Sequence, residues 1–564
     1  MLGHWCCPYK QNSKRFFDDK ILSHPWDKFA TFQKDYKEIQ KIYEASLITM
    51  QEILNKLFNK NYSLRYWRIL IGPWLNAIIS IYYEKKLLIN KSKKIKKAKI
   101  IRFKFKREDH IPNSTQDFIA RTSSDEWNYY FFLDILQNSL NEKFKFKEIN
   151  LFLKPDNKKK NTRDKSYFNF LSIFNSKKIF LFNTYLNKKD QIYLAFKNFF
   201  FFKSYFSVND EKCRLDLNLR NTLIEILKRK KIKNFNLLKL IILNIPKNFL
   251  ENFIKNEKII STSFLPRYPK IIFTSAIVND SQRQYIATCI EQGTKLVYGQ
   301  HGGNYGNLRM NFSQDHECKI SDKYISWGWK EKNNKIKNLG TFLDVKKINR
   351  QIDDKYKCYE KLLIVTRAER KYIAKLQSSF YSVGNEHYYF FKFLPKIISS
   401  VTKAIQKKIV VRTLNTGWLQ SWNFEKYLND KFKNLIIDGR PSRSIYENYL
   451  NQSKLVVSTI FSTVFFECML ANIPVILVLP SKKMMLNNKT IKIFNKLKIA
   501  NIYFSDLNSA TKFINNNWDN IDKWWNSKKT QKTILIFNKN FNKKNDNLRV
   551  ELQNLFEKMK KNEI

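Results

Sequence analysis

The chain has 564 residues, and its 43% hydrophobic and 15% aromatic content excludes wholesale disorder, because such a chain can bury enough apolar surface to offset its ordering entropy. The length also excludes a single small binding module and predicts two or three domains. The net charge of +54 attracts polyanions whatever the fold, but lysine and asparagine recur throughout and glycine falls to 12 residues, so we attribute the charge first to composition bias.

The first predicted region is helical. Residues 15 to 90 place apolar side chains three and four positions apart, as in YKEIQKIYEASLITMQEILNKLF. Within this region, the segment SLRYWRILIGPWL places Arg65 and Arg68 on one helix face beside Trp67. Two interpretations stay open for these three residues. In the first interpretation they contact an acceptor or a lipid. In the second they form an aromatic core whose arginines extend to the solvent.

The next region, residues 91 to 258, alternates Lys, Asn and Phe with few glycines or prolines. We predict a variable insert here and assign it neither elements nor chemistry.

After residue 269, short apolar runs alternate with helical stretches. In the first group, the predicted strands are KIIFTS, TKLVYGQ and KYISWGW, between residues 270 and 329. The second group contains KLLIVT, KKIVVRT, NLIIDG, KLVVST, PVILVLP and NIYFS, between residues 361 and 505. Strands that alternate with helices at this spacing indicate parallel sheets. We therefore predict an α/β fold of two Rossmann-like domains that face a cleft, with residues 1–350 in the first and 351–564 in the second.

The densest cluster of functional residues is VYGQHGGNYG at residues 297 to 306, which holds four of the 12 glycines behind a predicted strand. His301 can take a proton from an acceptor hydroxyl or, when protonated, hold a phosphate. The alternative is a histidine that stabilises a tight turn. Gly302 and Gly303 would let ligand oxygens reach backbone N–H groups, or they simply form a strand-to-helix turn.

A second cluster joins a strand, a polar turn and a helix. Ser458 and Thr459 close the strand, and Ser462 and Thr463 cap the helix, whose N-terminus suits a phosphate. Glu467 follows among apolar residues of the same helix. A buried acid needs a partner, and we predict ribose hydroxyls, with a capping carboxylate as the alternative.

Arg412 follows another predicted strand, where a guanidinium can clamp a phosphate. No D-x-D sequence occurs, so the usual carboxylate pair for a Mg²⁺ clamp on a donor diphosphate is missing. We therefore expect metal-independent chemistry in which helix N-termini and arginines meet the charge of the leaving group.

Four segments together, YWRILIGPWL, YGQHGG, SWGW and STIFSTVFFE, resemble an uncharacterised family of transferases encoded in bacterial O-antigen and surface-polysaccharide loci. The last segment is also similar to parts of capsule ulosonic acid transferases and of wall-polymer glycerophosphotransferases. The resemblance implies a GT-B-like enzyme that uses a nucleotide-activated sugar, with a CMP-linked nonulosonic acid as the expected donor. It matches Gln300, His301 and Gly302 to the Q-H-G of the capsule enzymes. It likewise matches Ser462, Thr463 and Glu467 to their donor-site turn and acid.

The predicted function is a glycosyltransferase of surface-polysaccharide synthesis, with the donor on the second domain and a glycan or lipid-linked glycan acceptor mainly on the first. It needs no resident cofactor and no specific nucleic acid. The alternatives are a phosphotransferase that uses a CDP-activated polyol, and a non-catalytic basic protein that binds polyanions. A second histidine like that of the glycerophosphotransferases is absent near the donor turn, which favours the sugar.

The predicted location is the cytoplasm. The seven cysteines are scattered without a C-x-x-C pair, as is usual in a reducing compartment. The longest uncharged apolar run, residues 69 to 83, is too short to span a bilayer. Peripheral contact with an anionic inner membrane remains compatible with the charge.

Overall fold

The computed structural model describes residues 21–92, 100–138, 146–152, 179–198, 201–203, 213–263, 265–332, 334–345, 348, 359–367, 371–373, 389–413, 424–479 and 486–563. Helices and strands are numbered in chain order over these ranges. The N-terminal region comprises α1 (Phe29–Phe58), α2 (Leu64–Ser92), β1 (Ile100–Lys104), α3 (Arg107–His110), α4 (Thr115–Arg121), α5 (Asp125–Asn138) and β2 (Phe146–Phe152). The strands β1 and β2 pair in parallel as a small separate sheet.

The helical start predicted from the sequence is two long helices joined by a tight turn. Asn59 ends α1 in the left-handed conformation, with φ of 50°, and its N–H bonds back to the last turn of the helix. The helix α2 is apolar on nearly every side because α1, α5 and later helices of the first domain surround it. It is therefore a core helix rather than a surface helix.

The first large sheet lies in the middle of the chain. Its domain comprises β3 (Ile179–Phe182), α6 (Lys188–Asn198), β4 (Phe201–Lys203), α7 (Leu217–Arg229), α8 (Phe235–Asn244), α9 (Phe253–Ser261), β5 (Ile271–Thr274), α10 (Asp280–Glu291), β6 (Lys295–Gly299), α11 (Phe312–Ile320), β7 (Lys323–Ser326) and β8 (Ile336–Asn338). The six described strands pair in parallel in the order β4-β3-β5-β6-β7-β8.

The second large sheet follows. Its part of the chain comprises β9 (Lys361–Val365), α12 (Leu394–Ser400), α13 (Lys403–Gln406), β10 (Ile409–Arg412), α14 (Phe424–Lys431), β11 (Ile436–Asp438), α15 (Arg443–Gln452), β12 (Ser453–Ser458), α16 (Thr463–Leu470), β13 (Val475–Val478), α17 (Asn488–Ile499), β14 (Tyr503–Phe504), α18 (Leu507–Asn517), α19 (Ile521–Trp525), α20 (Lys528–Phe541) and α21 (Leu548–Lys560). Its described strands are also parallel, in the order β11-β10-β9-β12-β13-β14. This is the 3-2-1-4-5-6 order of dinucleotide-binding folds.

The last helix crosses back to the first domain. Alternate residues of the first sheet, such as Leu181 and Phe273, face an apolar stripe of α21 that includes Leu552 and Phe556. The segment that leads into α21, residues 542–547, is hydrogen-bonded to the residue after β7: the N–H of Lys543 donates to the carbonyl of Trp327 at 2.6 Å. The helix α21 therefore covers one face of the first sheet and belongs to the core of the first domain.

The predicted α/β fold of two Rossmann-like domains is confirmed by these two parallel sheets. Two features of the structure were not expected from the sequence. The strands β3 and β4 come from the region expected to be a variable insert, where short apolar runs are hard to distinguish from a background rich in Phe and Lys. The helix α21 was assigned to the second domain, but its apolar face packs on the first sheet.

Candidate active site

The two sheets bring their polar turns to a common cleft. In an open α/β sheet, ligands bind beyond the carboxyl ends of the strands at the point where the strand order reverses. In the second sheet this point lies between β9 and β12, so the turn after Ser458 borders it. In the first sheet the reversal lies between β3 and β5.

A cavity of about 180 Å³ joins the two domains at this cleft. From the first domain it is lined by His301, Gly302, Gly303, Asn304, Tyr305, Leu308, Asn311 and Ser313. From the second domain it is lined by Ser462 and Thr463. The structure therefore brings the predicted histidine and glycine cluster together with the predicted helix-capping turn.

The turn after β6 is fixed by Gln300 and by two tryptophans. The fully buried Gln300 accepts hydrogen bonds from the Trp327 N–H at 3.0 Å and the Trp329 indole at 2.8 Å, and its amide donates to the Gly302 carbonyl at 2.7 Å. Gly306 has φ of +72°, and a Cβ there would lie 2.1 Å from the ring of Trp329. The YGQHGG and SWGW motifs thus form one packed unit, in which Gln300 holds the turn rather than facing the cavity.

The two neighbouring glycines differ in their surroundings. A Cβ on Gly303 would lie 2.6 Å from ring carbons of Phe466 and 3.1 Å from the carbonyl carbon of Ser462, both in the second domain. A Cβ on Gly302 would find its nearest neighbour, Tyr305, at 3.6 Å. Gly303 therefore permits close contact between the domains, whereas Gly302 leaves room at the cavity.

His301 lies at the carboxyl end of β6 with about a third of its side chain exposed. The hydroxyl of Tyr305 is 3.2 Å from its Nε2, and Oε1 of Glu317 is 3.8 Å from its Nδ1. The ring of Tyr185 lies nearly parallel to the imidazole, with centroids 6.0 Å apart. His301 is thus a partly accessible base among phenols, with one carboxylate nearby.

The second wall of the cavity is the N-terminus of α16. Ser462 is the N-cap residue, but its side chain makes no capping hydrogen bond. Thr463 is the first helical residue and also lines the cavity. The first N–H groups of a helix and its dipole favour an anion, so this wall suits a phosphate.

Three predicted donor-site residues are buried in the scaffold. The hydroxyl of Ser458 donates to the Ile460 carbonyl at 2.7 Å, and that of Thr459 donates to the Val365 carbonyl at 2.9 Å. Arg412 donates to both the carbonyl and the carboxylate of Asp438, at 3.0 and 3.1 Å. These side chains hold the strand ends of the second sheet, and none of the three lines the cavity.

The buried acid of α16 has protein partners. Glu467 accepts hydrogen bonds from Arg443 and, at 2.8 Å, from the hydroxyl of Tyr446, both on α15. Burial raises the pKa of Glu467, and the facing guanidinium opposes that rise. The Arg443 side chain is 48% exposed and pairs with Glu467, which lies four residues after Thr463 in α16. Glu467 thus fixes a partly exposed cation beside the helix whose first residues line the cavity.

The three predicted acceptor-side residues lie in the core or in ion pairs. Trp67 is fully buried, and its indole donates to Asn55 at 2.9 Å. Arg65 makes a bidentate pair with Asp322, and Arg68 does so with Glu44. Trp67 thus lies in an aromatic core, as in the second interpretation, whereas the two arginines form ion pairs instead of extending to the solvent.

Sequence reasoning missed Glu317 and Arg443. Glu317 lies in the helix FSQDHECKI, whose mixed composition does not single out one acid. Arg443 ends the turn GRPSR, in which the polar Arg440 and Ser442 precede it, so exposure is the ordinary expectation. An i,i+4 pair of Arg443 with Glu447 was the one local signal.

The described residues also bear on metal binding and on membrane insertion. Within the ranges that the structure describes, no group of three or more His, Cys, Asp or Glu side chains is arranged to hold a metal ion. Among the described helices, none combines the length and the apolar composition needed to cross a bilayer.

Two facing Rossmann-like domains with a polar cavity between their strand ends define an α/β architecture of the GT-B type. The family model of the LIC12162 family transferases matches residues 1–556. The chain therefore belongs to this transferase family, which confirms the expected membership of an uncharacterised transferase family. A search of curated proteins found no match.

Several solved structures share similarity with the chain. The wall teichoic acid polymerase TagF, soaked with CDPG, is 11% identical with a TM-score of 0.37 and covers 70% of this chain and 92% of its own. The S. aureus MnaA–UDP co-structure is 10% identical with a TM-score of 0.34 and covers 83% and 98%. Anabaena Alr3699/HepE with UDP and glucose is 11% identical with a TM-score of 0.35 and covers 68% and 99%. These values are too low to transfer a function.

Proposed function

We propose that the protein is a glycosyltransferase that moves a sugar from a nucleotide-activated donor to a glycan or lipid-linked glycan. The observation that carries the proposal is the shared cavity, which places a histidine of one domain against a helix N-terminus of the other. A base and an anion site across one cleft are what group transfer from a nucleotide requires. Membership of a transferase family supports the same reaction class.

The proposed reaction follows from the two walls. His301 takes the proton of an acceptor hydroxyl, and the oxygen attacks the anomeric carbon of the donor. The bond between that carbon and the phosphate oxygen breaks, and its electron pair leaves with the nucleotide. The N–H groups at the start of α16, the hydroxyls of Ser462 and Thr463, and the guanidinium of Arg443 stabilise the leaving phosphate.

The contacts refine the predicted roles of the other residues. Glu467 acts through Arg443, because both of its carboxylate oxygens bond to α15 rather than standing open to a ribose. Gln300, Ser458, Thr459 and Arg412 maintain the two turns that border the cavity. Tyr185, 51% exposed and next to His301, is the acceptor-side residue in this proposal.

We retain a CMP-linked nonulosonic acid as the proposed donor, a chemistry that needs no divalent metal clamp because its nucleotide carries a single phosphate. The cavity of about 180 Å³ is below the 300 to 1,000 Å³ typical of whole-ligand pockets, so it fits the reacting phosphate and sugar carbon rather than the entire donor.

Calorimetric titration with CMP, CDP, UDP and GDP, with and without EDTA, tests the donor site. We expect CMP to bind without metal and Arg443→Ala to weaken binding about 10- to 100-fold, the loss of one charge-assisted hydrogen bond. Arg549→Ala is the matched control, since Arg549 also lies over a tyrosine ring, that of Tyr193 at 4.9 Å. Selective CDP binding would favour the polyol alternative.

His301→Ala tests the chemical step. We expect the variant to bind CMP as the unmodified protein does and to release CMP from CMP-N-acetylneuraminic acid about 10² to 10⁴ times more slowly. Absence of binding by every nucleotide would refute the proposal. Salt-sensitive binding of a polyanion that survives His301→Ala and Glu467→Ala would then favour the non-catalytic alternative.

A further inference from the structure

A buried carboxylate lies beside the proposed base. Glu317 is 5% exposed and sits in the middle of α11. Its Oε1 is 3.8 Å from Nδ1 of His301. This separation is too long for a hydrogen bond but well within the range in which opposite charges interact strongly in a partly buried site.

Tyr305 bridges the two groups. Its hydroxyl donates to Oε1 of Glu317 at 2.8 Å and lies 3.2 Å from Nε2 of His301. Since the phenol proton is directed to the carboxylate, its oxygen can accept a hydrogen bond from a protonated ring nitrogen. Tyr324 donates to the other carboxylate oxygen at 3.3 Å, which holds Glu317 from the sheet side.

Four tyrosines and one cysteine that interact with Glu317 have raised pKa values. Burial, followed by the charge of Glu317, raises the pKa of Tyr305, Tyr298 and Tyr324 well above the ordinary phenol value. The same two causes raise the pKa of the Tyr185 phenol and of the Cys318 thiol. From the second domain, the cavity is lined by the uncharged Ser462 and Thr463. Glu317 is therefore the charge with the largest effect on each of these five groups.

The helix that carries Glu317 is clamped by α2. Arg65 donates through Nε to the carbonyl of Ile320, the last residue of α11, at 2.8 Å. Gly72 lets α2 approach closely, because a Cβ there would lie 3.2 Å from the ring of His316. Arg65 and Gly72, which lies within the YWRILIGPWL motif, thus hold α2 closely against α11.

We propose that Glu317 is a positioning residue that orients His301 and stabilises its protonated form through direct charge attraction and the Tyr305 hydroxyl. The inference rests on the proposed function, in which His301 receives the acceptor proton. That proton stays on the imidazole, and Glu317 remains ionised throughout. Arg65 and Gly72 of α2 have their role here, because they support the helix that holds the carboxylate.

Histidine titration by NMR tests the pairing without turnover. With ¹³C-labelled imidazole rings, the His301 signal is assigned by its loss in His301→Ala. We expect Glu317→Gln to lower the titration midpoint of His301 by about one pH unit, because an opposite charge at this distance favours the protonated ring. Glu317→Asp, which keeps the charge at a greater distance, should give an intermediate midpoint. An unchanged midpoint in Glu317→Gln would overturn the proposal.

The matched control is Glu251→Gln, which removes another buried carboxylate, the partner of Arg220 at 2.8 Å. It should leave the His301 midpoint where it is, whatever it does to stability. A Glu317 variant that does not fold leaves Tyr305→Phe as the second test, which should lower the midpoint by removing the bridge. An unchanged midpoint in that variant would also count against the proposal.

Release of CMP from CMP-N-acetylneuraminic acid separates this inference from the proposed function. We expect Glu317→Gln to lower kcat about 10- to 100-fold with little change in KM, and to move the acid limb of the pH profile to lower pH. A shifted NMR midpoint in a protein without activity would refute the function and keep the pairing. Normal activity with an unshifted midpoint would refute the pairing and keep the function.

Discussion

Replacing Gly303 with alanine places a methyl group in the contact between the two domains. The added Cβ would lie 2.6 Å from two ring carbons of Phe466 and 3.1 Å from the carbonyl carbon of Ser462. Carbon atoms in contact are normally about 3.5 to 4.0 Å apart, so the overlap with the ring is about 1 Å. The backbone carbonyl on the other side limits how far the new methyl group can move away.

An overlap of this size in a packed region costs about 1 to 3 kcal/mol. Gly302→Ala is the matched control, because its nearest new neighbour would lie at an ordinary 3.6 Å. Both changes restrict the unfolded chain equally, which favours folding by about 0.4 to 1 kcal/mol where the backbone conformation is compatible. The difference between the two variants therefore isolates the overlap with the second domain.

Urea unfolding of both variants measures this difference. We expect Gly303→Ala to be less stable than Gly302→Ala by about 1 to 3 kcal/mol. Combining Gly303→Ala with Phe466→Leu should recover part of the loss, because the smaller side chain removes the nearest ring atoms. Equal stability of the two glycine variants would refute close packing of the domains at this turn.

Three further outcomes follow from the contacts. Trp67→Ala should cost about 3 to 5 kcal/mol in urea unfolding, as for a buried core tryptophan, whereas an acceptor-binding residue would lose activity with stability intact. The hydrogen bond from Arg440 holds the pKa of Asp438 well below its usual range. The ionised carboxylate therefore stabilises the folded protein above about pH 4, and this stabilisation is lost as the pH falls towards the pKa of the folded state. In urea unfolding, the difference in unfolding free energy between the unmodified protein and Asp438→Asn should therefore shrink in acid. Phe556→Ala should lower the unfolding free energy by about 3 to 5 kcal/mol and speed proteolysis near residues 542–547. Its control, Leu535→Ala on an exposed face, should change the unfolding free energy by less than about 0.5 kcal/mol. Equal rates of proteolysis in the two variants would contradict the docking of α21 on the first sheet.

The second sheet shows how far the sequence could go. Each of its runs, such as KLVVST and PVILVLP, is a short apolar segment between helical stretches, and each is a strand in the structure. The physical reason is local, since strands buried on both faces need continuous apolar side chains. The strands β3 and β4 were missed because their short runs IFLF and FFK stand among other scattered Phe and Ile residues, with no glycine or proline nearby to mark their ends.

The candidate site was predictable only in part. The glycine cluster could be identified because glycines are rare in this chain, and the Ser462 turn because Ser and Thr lie between a predicted strand and a predicted helix. The structure brings both to one cavity. Arg412 and Gln300 were singled out by position, yet their hydrogen bonds go to neighbouring protein groups. A residue type at a strand end indicates which ligand group its side chain can bind, but not whether that side chain is already hydrogen-bonded to another part of the protein.

The sequence by itself determined the class of fold, the two polar turns and the histidine at the end of β6, because strand periodicity, glycine clustering and helix capping are properties of neighbouring residues. The tertiary structure alone decided that α21 returns to the first sheet, that α2 clamps α11, and that Glu317 lies 3.8 Å from His301. These contacts join residues distant in the chain, and they depend on how apolar faces pack and on which buried charges find partners, which no local pattern records.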